Sequence, residues 1–337
     1  MTNVATLGYW ADAPGRGSVR STTLRDAGPD DLRLQALCTG VSPGTERLVG
    51  LGRVPATMDA TMAVPGMQGS FALPILYGYS FVGRVVGGAR AGERVFTMHP
   101  HTADAVVAAA ACVPLPVAVP DARATLFPNL ETALNAVWDA APAPGERIVV
   151  VGGGAVGLLV TFVLAVECGV RATLVEADPV RRRFAAALPW QPEVVAPEAA
   201  PREAFACALH ASGTGSGLQF AIDLVGFEGR VVDLSWYGDQ PVSLRLGETF
   251  HHRRKSLRAS QVATIAPARR AAGRAARTAA VLALLRDDRL DALVRDRVPF
   301  DRLPDLFARL HHGEPAPACP VVEFATGRPV GVADGST

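Results

Sequence analysis

Three glycines with fixed spacing stand between a run of apolar residues typical of a buried strand and an apolar stretch typical of a helix. The segment reads IVVVGGGAVGLLV, and Gly152, Gly154 and Gly157 give the spacing G-x-G-x-x-G. In this setting the first glycine allows a tight turn, the second lets a phosphate approach the backbone, and the third lets helix and strand pack closely. Free N–H groups and the dipole at a helix N-terminus favour an anion. The spacing therefore predicts that these glycines, with Ala155 and Val156 between them, bind the pyrophosphate of a dinucleotide.

An acidic residue at the end of the next predicted strand indicates which dinucleotide is bound. Glu176 follows Gly157 by about 20 residues, the spacing expected of the acid that hydrogen-bonds the adenosine ribose. A carboxylate there repels a 2′-phosphate, so we expect NAD(H) to be preferred over NADP(H). Arg181, Arg182 and Arg183 follow, and one of these arginines could accommodate the phosphate instead, which leaves NADP(H) open.

The glycine motif lies in a region where predicted strands and helices alternate. Strands are predicted at 147–151, 172–176, 205–211, 231–236 and 256–261, and helices at 155–168, from 179, and at 214–226. In the last of these helices Leu218, Ile222 and Val225 share one face. This alternation predicts an α/β fold with a doubly wound parallel sheet of the Rossmann type.

The regions on either side of this alternation differ from it. Residues 1–122 are rich in glycine, proline and short apolar runs, which predict a mainly β domain. After about residue 262 come two predicted helices and a closing strand, CPVVEF. We therefore predict a mainly β substrate domain over 1–122, completed by 263–337, and a dinucleotide-binding domain over 123–262. A chain of 337 residues is long enough for both.

Composition excludes several kinds of partner. The formal net charge is +1, and the arginine-rich segment after residue 262 lacks interleaved aromatic residues, so we expect no nucleic-acid partner. The apolar stretch 148–166 is interrupted by glycines and is interpreted as a strand, turn and helix, with no membrane partner. Five scattered cysteines without a CxxC pair, and no secretory leader at the N-terminus, predict a cytoplasmic protein.

Several motifs together resemble the medium-chain dehydrogenase/reductase superfamily, whose members include the zinc-type alcohol dehydrogenases. They are TGVSPGTE (39–46), LYGYSFVGRVV (76–86), AGERVF (91–96), ETALNAV (131–137), GGGAVG (152–157) and HASG (210–213). The segments SPGTERL, ETALNAVWDAAPAPGERIVVVG and SLRASQV are similar to a branch that includes bacteriochlorophyllide-type dehydrogenases, which oxidise a side-chain secondary alcohol. The resemblance implies a GroES-like β domain beside the Rossmann domain, a small-molecule substrate and a homodimer.

The departures from that resemblance concern zinc. Zinc-dependent members place cysteine where this chain has Ser42, histidine where it has Tyr79, and a further cysteine near Phe127. A hydroxyl, a phenol and a phenylalanine do not make the usual thiolate and imidazole site. His99 and His101 lack a third ligand nearby. We therefore expect a zinc-free member.

Without a Lewis acid, protein groups must handle the charge at the substrate oxygen. We hypothesise that Tyr79 and Ser42 hold the substrate carbonyl or hydroxyl, and that His101 or Glu46 relays the proton. Each also has a structural interpretation: Tyr79 packing between elements, Ser42 satisfying a turn, Glu46 capping a helix, and His101 lying at the surface.

Four further residues are predicted to contact the cofactor. Glu131 is placed by the resemblance on the helix that approaches the nicotinamide. Ser212, Gly213 and Tyr237 follow predicted strands, at the sheet edge where ligands collect.

The sequence predicts a zinc-independent oxidoreductase that transfers a hydride between NAD(H) and a secondary alcohol or ketone of a small or biosynthetic molecule. One alternative is an NADPH-dependent enoyl or quinone reductase, since GVSPGT resembles the corresponding loop of those enzymes. The other alternative is a non-enzymatic dinucleotide-binding protein.

Overall fold

The structure is a computed structural model that describes residues 5–314 and 318–325. Two compact units divide the chain: Met1–Pro128 with Leu293–Thr337, and Asn129–Ala292. The return to the first unit thus comes about 30 residues later than the sequence predicted. The reason is that residues 263–292 pack within the second unit, where the Arg277 side chain donates to Glu131 and to the carbonyl of Val262.

The first unit is mainly β. Its strands are β1 Ala5–Ala13, β2 Arg16–Thr23, β3 Asp31–Gly40, β4 Gln68–Gly69, β5 Ile75–Leu76, β6 Phe81–Val85, β7 Arg94–Thr97, β8 Asp104–Ala108, β9 Val113–Pro114, β16 Arg297–Pro299 and β17 Val321–Glu323. Its helices are α1 Pro43–Gly50, α2 Asp121–Ala124 and α9 Leu303–His311, and α3 Phe127–Ala140 begins at its end. Short 3₁₀ helices lie at Ala56–Met58, Ala109–Ala111 and Phe300–Arg302.

Two sheets build the first unit. One has the order β2-β1-β5-β4, and the other has the order β16-β17-β3-β6-β7-β9, with β8 also paired to β3. Leu34, Phe81, Val95 and Val107 fill the second sheet's core because alternate positions of its strands face inward. Helix α9 packs its own apolar face against Tyr9 and Val322. The C-terminal segment thereby completes the first unit through α9, β16 and β17.

The second unit alternates strands and helices. Its strands are β10 Ile148–Val151, β11 Thr173–Val175, β12 Glu193–Val195, β13 Phe205–His210, β14 Val225–Asp233 and β15 Ser256–Ala259. Its helices are α4 Ala155–Cys168, α5 Pro179–Ala186, α6 Gly215–Leu224, α7 Thr249–His252 and α8 Gly273–Leu284. Further 3₁₀ helices lie at Pro197–Ala199, Pro267–Ala272 and Asp288–Leu293.

All six strands of the second unit run parallel in the order β12-β11-β10-β13-β14-β15. This is the doubly wound order 3-2-1-4-5-6, so the predicted fold class is confirmed. The strand order reverses between β10 and β13, and in such sheets ligands bind outside the carboxyl ends of the strands at that point. Any ligand is therefore expected at Gly152 and at the residues that follow His210.

Of three local predictions, the first agrees with the structure and the other two do not. The stretch 148–166 is strand β10 followed by helix α4, as interpreted, and no helix within 5–314 or 318–325 is long and apolar enough to cross a membrane. Val225, predicted on a helix face, is instead the first residue of β14. The helix predicted after residue 262 begins only at Gly273, because a 3₁₀ turn precedes it and this glycine adopts a positive φ of 75°.

Candidate functional site

The glycine turn after β10 has the geometry that an anion requires. Gly152 has a φ of 106°, and a Cβ there would lie 2.7 Å from the backbone N and Cα of Ser212. A Cβ on Gly157 would collide with the carbonyl oxygen of Gly152. On Gly154, the N-cap of α4, a Cβ would meet nothing within 4 Å. The first and third glycines therefore permit the packing, and the middle one leaves the helix N-terminus open beside half-exposed Ala155 and Val156.

Glu176 lies against this turn. It follows β11 directly, is 7% exposed, and its two carboxylate oxygens accept the backbone N–H groups of Gly153 at 2.6 Å and Asp178 at 2.8 Å. These two bonds fix the carboxylate beside the turn. Each oxygen keeps lone pairs for a further donor, such as a ribose hydroxyl.

The arginines that follow hold the start of α5. The Arg181 N–H donates to the Asp178 carboxylate at 2.8 Å, and this bond keeps the pKa of that carboxyl below its usual value. The Arg182 guanidinium donates to the carbonyls of Glu176 and Ala177 at 2.9 and 2.6 Å. Arg182 is therefore committed to the backbone after β11, and the side chain of Arg181 is half-exposed.

A hydrogen-bonded cluster lies where β13 and β14 end. His210, fully buried, places Nδ1 at 2.8 Å from Asp233 Oδ1 and Nε2 at 2.6 Å from Ser212 Oγ. The Tyr237 hydroxyl donates to Asp233 Oδ2 at 2.9 Å, and the Gly213 N–H donates to Ser235 Oγ at 3.0 Å. The structure thus brings Ser212, Gly213 and Tyr237 together around a histidine and an aspartate.

Sequence reasoning missed His210 and Asp233. Burial raises the pKa of Asp233, but hydrogen bonds from His210 and from the Ser235 N–H outweigh it, so the pKa is lowered and the carboxylate is charged at neutral pH. Burial raises the pKa of Tyr237 above its usual value, which keeps its hydroxyl a donor. A polar residue at the end of each of two neighbouring predicted strands was the available signal.

Glu131 lies on α3 and is engaged by α8. Its carboxylate accepts from Arg277 Nε at 2.9 Å, and that arginine is 4% exposed. Burial raises the pKa of Glu131, while the charge of Arg277 opposes the rise. One function of Glu131 is therefore to neutralise Arg277 within the second unit.

In the first unit, Ser42 and Glu46 define the N-terminus of α1. Ser42 is the N-cap, and its backbone N–H donates to Glu46 Oε1 at 2.7 Å, so the glutamate returns to its own helix end. The other oxygen, Oε2, lies 2.7 Å from His101 Nε2, and the two side chains are 4% and 1% exposed. Glu46 therefore caps its own helix and pairs with His101, another predicted site residue, at the same time.

His101 lies in the turn between β7 and β8 and is fully buried, so its interpretation as a surface residue is wrong. Its Nδ1 lies 2.7 Å from the Thr39 hydroxyl at the end of β3. Burial lowers the pKa of the neighbouring His99 to about 4, and that ring contacts the Pro100 carbonyl and Thr102. Over residues 5–314 and 318–325, no three acidic, histidine or cysteine side chains group as a metal site.

Tyr79 precedes β6 and is half-buried. Burial raises the pKa of its hydroxyl above the usual value, and the charge of Glu46 adds to the rise, whereas hydrogen bonds with the hydroxyls of Ser42 and Thr45 oppose it. The phenol therefore stays neutral and remains a donor. Thr45 was missed by sequence reasoning, although it stands beside Glu46 in the first turn of the same predicted segment.

Comparisons with known proteins agree with this geometry. The chain is 28% identical over 296 residues to the 2-desacetyl-2-hydroxyethyl bacteriochlorophyllide A dehydrogenase of Rhodobacter capsulatus, covering 82% of this chain and 85% of that relative. A structure from Sinorhizobium meliloti 1021, assigned as a zinc-binding dehydrogenase and bound to NADP, matches with a TM-score of 0.74 at 17% identity, over 96% of this chain and 100% of its own. The chain has the medium-chain dehydrogenase fold.

A second structure with this fold carries the other cofactor. It is an alcohol dehydrogenase of Escherichia coli CFT073 complexed with NADH, with a TM-score of 0.74 at 15% identity, over 95% of this chain and 100% of its own. No family model matches the sequence. The two solved structures confirm the predicted fold.

Proposed function

We propose that this chain is a zinc-independent oxidoreductase that transfers a hydride between NAD(H) and a secondary alcohol or ketone of a small or biosynthetic molecule. The observation that carries the proposal is the open glycine turn with a buried Glu176 carboxylate fixed beside it. Its negative charge disfavours a 2′-phosphate, which supports NAD(H) over NADP(H). The similarity to a dehydrogenase named for a hydroxyethyl substituent supports the secondary alcohol.

The chemistry of the donors supports independence from zinc. Phe127 stacks on Phe96 with ring centroids 4.4 Å apart, so this side chain belongs to the apolar core. Ser42 and Tyr79 offer neutral hydroxyls, and the raised pKa of Tyr79 opposes a phenolate ligand. These three positions do not suit a tetrahedral zinc ion, which takes thiolate, imidazole or carboxylate ligands.

When bound, the nicotinamide would supply the hydride acceptor or donor. The residues that would hold the cofactor are the glycine turn for the pyrophosphate and Glu176 for the adenosine ribose, with Arg181, Glu131, Ser212, Gly213 and Tyr237 as further contacts. Their half-exposed or strand-end positions in the second unit support these assignments.

Tyr79 and Ser42 would handle the substrate oxygen. Of the four predicted catalytic residues, Tyr79 alone is half-exposed, whereas Ser42, Glu46 and His101 are buried. In ketone reduction a neutral phenol donates a hydrogen bond to the carbonyl oxygen as negative charge develops there. In alcohol oxidation the same hydroxyl, bonded to Ser42 and Thr45, accepts a hydrogen bond from the substrate.

We assign proton handling to the pair of Glu46 and His101. One proton lies between His101 Nε2 and Glu46 Oε2, and the Thr39 hydroxyl continues the chain of hydrogen bonds at Nδ1. Glu46 Oε1 also accepts the Ser42 N–H, which places the pair beside the helix end on which Ser42 and Thr45 lie.

Two finer proposals concern assembly and location. Strand β15 is an edge strand whose four residues, Ser256–Ala259, are all exposed, which supports pairing with a second copy in a homodimer. The five cysteines all lie within the described residues and form no disulfide, which supports the cytoplasm.

Thermal unfolding with NADH and, separately, with NADPH tests the proposal. A ligand at about 100 times its dissociation constant stabilises the folded state by about 2.7 kcal/mol. We expect NADH to stabilise the folded protein more than NADPH does. We also expect protein from which zinc has been removed, and whose zinc content has been measured, to oxidise secondary alcohols with NAD⁺. Stabilisation by NADPH alone would instead favour an enoyl or quinone reductase, and activity restored only by zinc would reject zinc independence.

A further inference from the structure

Two strand ends in the second unit place a histidine between an acid and a hydroxyl. Asp233, charged because its pKa is lowered, faces His210 Nδ1 at 2.8 Å and therefore holds the proton on that nitrogen. In the neutral ring Nε2 then carries no proton and accepts a hydrogen bond from the Ser212 hydroxyl at 2.6 Å. The direction of the Ser212 O–H bond is thus set by the histidine.

The protonation of His210 would reverse that direction. An imidazolium has two donors, so Nε2–H would donate to Ser212 Oγ and release the Ser212 proton to point elsewhere. Ser212 is half-exposed, and its backbone lies against Gly152 in the turn that precedes the open helix N-terminus. The Thr214 hydroxyl lies 3.0 Å from Ser212 Oγ, so an anionic ligand of that turn would compete with Thr214 for the freed Ser212 proton.

The groups around the imidazole include two that can titrate and two hydroxyls. The titratable groups that bond or stack with it are Asp233 and Tyr237, both from the end of β14, and the remaining hydrogen-bond partners are the hydroxyls of Ser212 and Ser235. From α6, Gly217 packs against Nε2, where a Cβ would lie at 2.9 Å. Since the lowered pKa of Asp233 keeps it charged and the raised pKa of Tyr237 keeps it neutral, neither of these neighbours changes charge near neutrality, and a proton taken up by the cluster would go to the imidazole.

We propose that His210 is a positioning residue that couples nicotinamide dinucleotide binding to proton uptake by turning the Ser212 hydroxyl from a donor to the histidine into a donor to the ligand. This rests on the proposed function, because it requires that the dinucleotide binds at the glycine turn. The pyrophosphate favours the donor state and the added positive charge. By linkage, affinity then rises as pH falls, and binding takes up a proton.

Calorimetric titration with NADH in two buffers of different ionisation heat measures that uptake directly, without activity. Between about pH 5 and about pH 8, where imidazoles titrate, we expect wild-type affinity to rise by about tenfold towards low pH and a fraction of a proton to be bound. His210→Gln should bind NADH with no uptake. His252→Gln, which removes an exposed histidine of α7 in the same unit, should behave as wild type.

The outcomes separate the two proposals. Wild-type protein that binds no NADH rejects the proposed function and this coupling with it. Binding with equal proton uptake in wild type and His210→Gln rejects the coupling alone. If His210→Gln does not fold, Ser212→Ala decides: we expect its uptake to fall to less than half, and unchanged uptake overturns the role of the hydroxyl.

Discussion

Replacement of Tyr79 by phenylalanine separates catalysis from folding, because it removes one hydroxyl and leaves the ring. In the wild-type protein without substrate, the Tyr79 hydroxyl bonds to the hydroxyls of Ser42 and Thr45. In the variant, these two hydroxyls can bond to each other or to water. We expect the loss in unfolding free energy to be about 1 kcal/mol. At the reacting oxygen the loss is larger, because removal of one donor to a developing oxyanion costs about 2.7–4 kcal/mol, which lowers kcat about a hundredfold to a thousandfold.

The assay is steady-state turnover of the best secondary alcohol found with NAD⁺, together with NADH binding and thermal unfolding of the same preparations. Tyr77→Phe is the matched control, since its buried ring meets Tyr79 edge to face at 6.1 Å. We expect this control to keep kcat within about threefold of wild type, with NADH affinity unchanged in both variants. A kcat for Tyr79→Phe within that range, or an equal loss in Tyr77→Phe, would refute the assignment of Tyr79 as the donor.

Three further predictions concern the second unit. Glu176→Gln keeps a hydrogen-bond acceptor but removes the negative charge. In fluorescence titrations, the ratio of the NADPH to the NADH dissociation constant should fall about tenfold, the equivalent of about 1.4 kcal/mol. An unchanged ratio would contradict the role of the Glu176 charge. Gly157→Ala should lose NADH binding and about 1–3 kcal/mol of stability because its Cβ meets the turn, whereas Gly154→Ala, with open space, should keep the melting temperature. Arg277→Met leaves the half-buried Glu131 without its ion-pair partner, which should cost about 1–3 kcal/mol at neutral pH. Because burial already raises the pKa of Glu131, this loss should shrink as the pH falls towards that pKa and the carboxyl is protonated; equal loss at every pH in denaturant titrations would refute the ion pair.

The parts of the fold that the sequence predicted are those encoded over short distances. The spacing of Gly152, Gly154 and Gly157 identifies one turn, and the alternation around it predicts a doubly wound parallel sheet, which the structure confirms. Val225 was misplaced because an apolar residue at a helical interval also suits the first position of a buried strand. The start of α8 was misplaced because alanine-rich sequence favours helix on both sides of Gly273.

The side-chain partnerships could not be predicted, because they join residues far apart in the chain. Glu46 and His101 were both candidates, but their contact depends on how α1 meets the turn after β7. His210 and Asp233 meet because β13 and β14 are neighbours in register, with His210 opposite Asp233. Neither the strand order nor the register follows from local pattern, so the sequence identified single residues and the structure supplied the pairs.

Two of the three buried histidines, His101 and His210, share one arrangement but differ in access to ligands. Each imidazole lies between a carboxylate and a hydroxyl: His101 between Glu46 and Thr39, and His210 between Asp233 and Ser212. Thr39 is fully buried, so the chain of bonds through His101 is closed at that end. Ser212 is half-exposed beside the glycine turn, so the chain through His210 ends at a surface that a ligand can reach. The same chemistry therefore serves a buried proton-handling pair in the first unit and a ligand-coupled proton in the second.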